Sequence, residues 1–280
     1  PRLVILDLSD PTNPSVVGRG EILDNLIEDV YVLGSYAYVA AGDSGLRVFD
    51  VSNPAAPTET GVYTPPDSAE GVVVAIAPGG AAYAHVAAGT SGLRVVDVSS
   101  PTAPAESGSY DTPDFAIGVA VLGDYAYVAD EDSGLRIVDV SSPSAPTETG
   151  FYDTSGDAND VVVATDVSDG QTYAYVADDD SLLTLDVSDP TTPNEIGSYD
   201  ETSDAVAIAA GTSGLPDHIY VADDVTDDLR TIDVSNPANP SQAASYDAGG
   251  EVEGVAAVAG DATNPTTAYV AAGPGGLRIV

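Results

Sequence analysis

A chain of 280 residues with 45 acidic side chains against 7 basic ones, every base an Arg, has a formal charge of −38 and no positive stripe with which to displace counterions from nucleic acid or an anionic membrane. The absence of Cys excludes a disulfide framework and a thiolate metal site, and no run of about 20 apolar residues is present to form a spanning helix. With 15 Tyr, 3 Phe and neither Trp nor Met, the core must be filled by Val, Ala, Leu, Ile and Tyr, which suit sheet stacked on sheet.

The chain opens on Leu3 to Gly20, a partial copy of a segment that then recurs: Ser44 to Tyr63, Ser91 to Tyr110, Ser133 to Thr154 (SGLRIVDVSSPSAPTETGFYDT), Leu182 to Tyr199, Leu229 to Tyr246, and a last fragment at Gly276 to Val280. Aligning the Val of D-V-S, or the Leu in its place, gives Leu8, Val51, Val98, Val140, Val187 and Val234, at steps of 43, 47, 42, 47 and 47 residues. An internal period of this kind overrides the one-or-two-domain expectation from length and points to one array that shares its core between repeats.

Each unit reads in one order. A strand of small apolar residues (Gly118 to Leu122) leads through a turn to a Tyr-rich strand (Tyr125 to Asp130), and an Asp- and Gly-rich turn leads to a third strand (Leu135 to Val140). The S-x-P-x-x-P segment ends that strand, since Pro cannot donate to a ladder, and a fourth strand, T-E-T-G-F-Y, follows. Four short strands per 40 to 50 residues, with no helical pattern between them, predict an all-β fold, a β-propeller of four-stranded blades.

First strands begin near Glu28, Glu70, Ile117, Asn159, Asp204 and Glu253, so six blades are expected, with seven or an incomplete ring as the alternatives. Residues 1–280 then form a single propeller domain. Residues 1–20 supply the third and fourth strands of a closing blade, and residues 251–280 its first to third strands. One strand is surplus, because Leu3 to Leu8 and Leu277 to Val280 claim the same slot, and a spare edge of that kind would pair with a neighbouring molecule.

Tyr36 to Ala40, Tyr125 to Asp130, Leu46 to Pro54 and Leu135 to Pro143 resemble the LVIVD repeat family, over nearly the whole chain. The resemblance implies a propeller on secreted or cell-surface proteins, with no established catalytic residues to transfer. The Lys-free acidic composition, 34 Asp and 11 Glu, resembles proteins of extreme halophiles. At molar ionic strength the Debye length falls to about 3 Å and self-repulsion is screened. Because the chain starts at Pro1 without a signal peptide, processing or trimming before it is expected.

Several residues invite a chemical reading. His85 takes the slot of Tyr38, Tyr127, Tyr175, Tyr220 and Tyr269, and His218 that of Tyr36, Tyr83, Tyr125 and Tyr173, so both read as packing substitutes and no Ser-His-Asp set remains. Arg47, Arg94, Arg136, Arg230 and Arg278 share one third-strand position, excepting Leu183 and Val4, and are expected to pair with turn carboxylates such as Asp132 or Asp180 or to cover the blade with their stems. The Asp-rich turns Ala129 to Gly134 and Ala177 to Leu182 lack the spacing of an EF-hand and read as solvated turns.

The start of the first strand lies nearest the axis in propellers, and there stand Glu28, Glu70, Asp204 and Glu253, with Asn159 followed by Asp160. Converging carboxylates at such a mouth would hold Ca²⁺, Mg²⁺ or several Na⁺. The longer loops between first and second strands (in residues 77–82, 165–171, 210–217 and 259–267) mark one face as a contact surface.

The sequence therefore predicts a non-enzymatic extracellular or cell-surface binding or structural module of a halophilic organism, meeting protein or glycan partners and no nucleic acid. Two alternatives stand beside it. One is a hydrolase or lyase using paired carboxylates on a propeller scaffold. The other is a subunit of a surface array or filament joined through an unpaired edge strand.

Overall fold

The computed structural model describes residues 2–10, 13–23, 25–166, 170–210, 216–258, 267–273 and 276–280. No α-helix occurs among them, and so no helix long and apolar enough to cross a membrane. The strands fall where the repeat predicts. An N-terminal hairpin comprises β1 (Arg2–Asp7) and β2 (Ser15–Ile22). Blade 1 contains β3 (Asp29–Leu33), β4 (Tyr36–Ala40), β5 (Leu46–Asp50) and β6 (Thr58–Tyr63). Blade 2 contains β7 (Gly71–Ile76), β8 (Ala82–Ala87), β9 (Leu93–Asp97) and β10 (Ala105–Tyr110). Blade 3 contains β11 (Gly118–Leu122), β12 (Tyr125–Ala129), β13 (Leu135–Asp139) and β14 (Thr147–Tyr152).

Blade 4 contains β15 (Ala158–Thr165), β16 (Thr172–Asp178), β17 (Ser181–Asp186) and β18 (Asn194–Tyr199), and blade 5 β19 (Ala205–Ala210), β20 (His218–Asp223), β21 (Asp228–Asp233) and β22 (Ser241–Asp247). Blade 6 has β23 (Gly254–Val258), β24 (Thr267–Ala271) and β25 (Leu277–Ile279). In every blade the hydrogen-bonded order is the chain order. The protein is an all-β β-propeller of six blades, with three strands of the sixth among the described residues. The chain divides into two compact units, Pro1–Val128 with Val138–Glu148, and Ala129–Ile137 with Thr149–Val280.

The core of each unit lies between sheets. In the first, Tyr38, Leu46 and Val48 of blade 1 pack on Val72, Val74, Val86 and Val96 of blade 2. In the second, Tyr173, Tyr175 and Leu182 of blade 4 pack on Ile208, Ile219, Val221 and Ile232 of blade 5. Burying each such aliphatic side chain contributes about 1.5–3 kcal/mol.

The repeated polar residues hold the turns and seams. In D-V-S the Asp carboxylate accepts the N–H two residues on: Ser52 N to Asp50 Oδ1 is 2.8 Å, Ser99 N to Asp97 2.9 Å, Ser141 N to Asp139 2.8 Å and Ser188 N to Asp186 3.0 Å. These Asx turns reverse the chain into S-x-P-x-x-P. The fourth strands of blades 1, 2 and 4 bulge one residue before a Gly, as where Val48 faces Gly61 and Phe49 faces Glu59. At this Gly position the next blade's proline turn presses in: a Cβ on Gly61 would stand 2.1 Å from the Pro101 carbonyl oxygen, and one on Gly150 2.2 Å from that of Pro190.

Gly18 of β2 meets the Pro54 carbonyl in the same way, at 2.0 Å from a built Cβ. The N-terminal hairpin thus stands to blade 1 as β5 and β6 stand to blade 2, as third and fourth strands, and Leu3 and Leu23 join Ala37, Val39 and Phe49 in a shared cluster. In blade 6, β25 follows β24 as a third strand. Both third strands that the sequence predicts therefore form.

Candidate functional site

Tyrosines ending the fourth strands reach the next blade. Tyr110 Oη donates to Glu148 Oε2 at 2.7 Å and Tyr199 Oη to Gln242 Oε1 at 2.7 Å, while Tyr63 bonds Glu106 and Tyr152 bonds Glu195 in the same way. The bond to Glu195, reinforced by burial, pushes the Tyr152 phenol up to about 12. This ladder escaped the sequence reading, although Tyr at the end of T-E-T-G-x-Y and Glu at its second position both recur with the blade.

At the start of the first strands, Asp160 accepts two backbone N–H groups: Val161 N at 2.8 Å on Oδ1 and Ile208 N, in the first strand of blade 5, at 2.9 Å on Oδ2. Asp29 does the same with Val30 N and, at 2.8 Å, Val72 N of blade 2. Burial pushes the Asp29 carboxyl above the usual carboxylate range against the pull of both N–H groups. These two acids are seams between adjacent first strands.

Glu28 and Glu253 are exposed and Glu70 and Asp204 half-buried, each beginning its strand with a backbone bond across to the second strand or the next turn, as Glu70 N to Ala87 O at 2.9 Å and Glu253 N to Ala271 O at 3.0 Å. Burial raises the Asp204 carboxyl, and the charges of Asp179, Asp224 and Asp223 add to it. Among the described residues no group of three or more His, Cys, Asp or Glu side chains stands close enough to hold a metal ion.

His85 is buried in the Tyr slot, paired opposite Val73 and Val95, and its Nδ1 has no hydrogen-bond partner. Burial lowers its pKa to about 4, with a weaker opposing bond to the Tyr83 backbone. His218 faces Asp233 across β20 and β21 and is half-buried.

Arg47, Arg94, Arg136 and Arg230 pair with carboxylates, though not with Asp132 or Asp180, and Arg278 donates to the Ala248 carbonyl at 3.0 Å. Arg94 Nη2 lies 2.8 Å from Asp111 Oδ1 and Arg136 Nη2 2.9 Å from Asp153 Oδ1, each acid 17 residues on, at the end of the fourth strand. Arg136 Nε is 3.9 Å from Asp130 Oδ2, and Arg230 Nε 2.9 Å from Asp223 Oδ2. Arg47, which has Thr64 at the 17-residue position, turns to Glu59 at 3.3 Å.

The Asp-rich turns are accordingly not simply solvated. Asp130, Asp178 and Asp223, the last residue of Y-V-A-D, are 0%, 2% and 0% exposed. The strand period of two turns them inward, beneath the Arg position. Alignment carried the signal: Asp replaces Ala41 and Ala88 in those blades alone.

Blade 4 breaks the pattern. Asp178 is buried, yet Leu183 occupies the Arg position, and a cleft of about 440 Å³ opens there, lined by Asp178, Asp179, Asp180, Leu183, Glu195 and Asp200 among others. Of the loops expected to mark a contact face, only residues 77–82 are wholly described; 167–169, 211–215 and 259–266 lie outside the described residues.

The LVIVD repeat model matches residues 2–20, 27–65, 80–112, 115–154, 155–201 and 215–248, and the chain belongs to that family. No curated protein matches it. Among solved structures it is similar to the Swd1 (Cps50) β-propeller domain of Myceliophteria thermophila, at 12% identity and TM-score 0.72, over 95% of this chain and 86% of that one. A functionally unknown protein from Desulfotomaculum acetoxidans DSM 771 matches at 14% identity and TM-score 0.72, over 94% and 84%. The periplasmic gluconolactonase PpgL of Pseudomonas aeruginosa matches at 15% and 0.65, over 96% and 77%. At these identities the likeness is one of fold.

Proposed function

We propose that the protein is a non-enzymatic binding or structural propeller on the outside of a halophilic cell, engaging protein or glycan partners. The observation that carries this reading is how the recurring polar residues are used: the D-V-S aspartates hold turns, Tyr and Glu bridge blades, Asp29 and Asp160 tie first strands, and Arg47, Arg94, Arg136 and Arg230 close onto acids of their own blade. What varies between copies is then left for recognition. Halophile origin rests on the charge of −38 without Lys, and a surface location on the family resemblance.

The competing reading, a carboxylate-dependent hydrolase or lyase, is tested directly. A panel of lactone, ester, glycoside and uronate substrates is screened in molar KCl with the wild type and with Glu70→Gln and Glu253→Gln. Binding function predicts no turnover above buffer. Turnover that disappears in either variant would overturn it.

A further inference from the structure

In blade 3 the guanidinium of Arg136 is gripped through Nη2, while its buried Nε has no hydrogen-bond partner. The group donates to the Ser133 carbonyl at 2.6 Å and to Asp153 at 2.9 Å, faces buried Asp130, and lies 4.6 Å from the centre of the Phe151 ring. Blade 4 keeps the acids and loses both bulky groups. Asp178 stands for Asp130, Asp200 for Asp153 and Glu195 for Glu148, but Leu183 replaces Arg136 and Ser198 replaces Phe151. The cleft of about 440 Å³ occupies that place, lined by these residues and by Asp179, Asp180 and Ser181.

Asp178 lies buried at this place. The residue is 2% exposed; Oδ2 accepts the Gly156 N–H at 3.3 Å and the Ser181 hydroxyl at 3.5 Å, and Oδ1 has no hydrogen-bond partner. The equivalent Asp223 of blade 5 is met by Arg230 at 2.9 Å. A buried carboxylate without its cation is costly, more so than a paired one. Burial, and after it the charge of Asp179, push the Asp178 carboxyl up against the bonds from Thr154, Gly156 and Ser181.

We propose that this cleft binds a guanidinium group, the side chain of arginine, which takes the place left by the missing Arg of blade 4. The planar cation donates toward Asp178 at the floor and Asp200 at the rim, a fork geometry that an ammonium does not reproduce. The turn departs from the blade 3 copy in one respect: ADDDSLL is one residue shorter than ADEDSGLR, and Asp179 takes the left-handed φ of 38° that Glu131, at 37°, takes in its sister. Glu195 already accepts the Tyr152 hydroxyl and serves as a wall of negative charge.

The inference rests on the binding reading and names its partner chemistry; the titration below can fail while the turnover screen stays blank, so the two failures are distinguishable. N-methylguanidinium is titrated by calorimetry and by tyrosine fluorescence at constant KCl, with urea as the neutral isostere and methylammonium as the non-planar cation. A ligand of this size is expected to saturate at about 1 mM.

Asp178→Asn should weaken binding at least about 10-fold, the scale of a lost charge-assisted bond. Leu183→Arg should abolish binding, because it restores the internal cation, and should raise the thermal midpoint. If Leu183→Arg does not fold, Ser198→Phe, which fills the cleft as Phe151 does, carries the same expectation. Free L-arginine and a capped Gly-Arg-Gly peptide then separate the sources: comparable affinity points to the side chain of either, and binding of the peptide alone to a protein partner. No saturable response, equal affinity for methylammonium or urea, or unchanged binding in a folded Leu183→Arg or Ser198→Phe protein overturns the proposal.

Discussion

The hydroxyl of Tyr110, at the end of blade 2, donates at 2.7 Å to Oε2 of Glu148 in the fourth strand of blade 3, 38 residues further along the chain. The bond is half-buried and charge-assisted, so Tyr110→Phe should cost about 1–2 kcal/mol. Urea unfolding of Tyr110→Phe, Glu148→Gln and the double variant measures the coupling. Additive single effects would show that the bond contributes nothing to the seam.

Gly150 meets the Pro190 turn so closely that an added methyl would stand 2.2 Å from its carbonyl oxygen. Gly150→Ala must push the two blades apart and is expected to destabilise by about 1–3 kcal/mol, as overpacking does. Gly123→Ala is the reference for a different mechanism: nothing lies within 4 Å of its built Cβ, and its φ of +61° supplies backbone strain alone. Comparable thermal midpoints for Gly150→Ala and the wild type would remove the steric account of the seam.

His85 titrates near 4 when folded and near 6.5 when unfolded. The unfolded chain therefore binds the extra proton first, and stability is lost as pH falls from about 6.5 toward 4, by up to about 3 kcal/mol. Above pH 7 the residue contributes no slope. His85→Tyr, the residue of its sister blades, should flatten this part of the stability curve. Carboxylates titrate in the same window, so the quantity to compare is the wild-type curve minus the variant curve. Parallel curves would contradict the assignment.

Raising KCl from 0.1 M to 3 M shortens the Debye length from about 10 Å to below about 3 Å. With a net charge of −38, the thermal midpoint is expected to rise by several degrees, about 2–4 °C for each kcal/mol of repulsion removed. A midpoint unchanged by salt would leave the acidic surface without a stabilising role for brine.

Strand order, blade number and the packing role of His85 were legible because they repeat, and a period averages away accidents of single copies. Tyr38 and His85 share a buried slot, and one copy is enough to interpret the other. Partners of the Arg column were not legible, since Arg136 reaches Asp153 through a turn that folds back, whereas Asp132 is merely near in sequence. The place of Asp160 at the strand start marks it as a candidate cation ligand, and nothing in the sequence reveals its backbone partners. The structure gives its two oxygens to the N–H groups of Val161 and Ile208, and that second contact joins residues 48 apart that no local pattern connects.

The seam at each fourth-strand Gly has both its halves written in one copy of the repeat: the hollow at Gly61 or Gly150, and the proline turn that fills a hollow in the preceding blade. Blades 1 to 4 are thus each lock on one flank and key on the other. A duplicated stretch of gene arrives with its neighbours' contacts already encoded, so arrays of this kind lengthen or shorten by whole units without a new interface having to evolve.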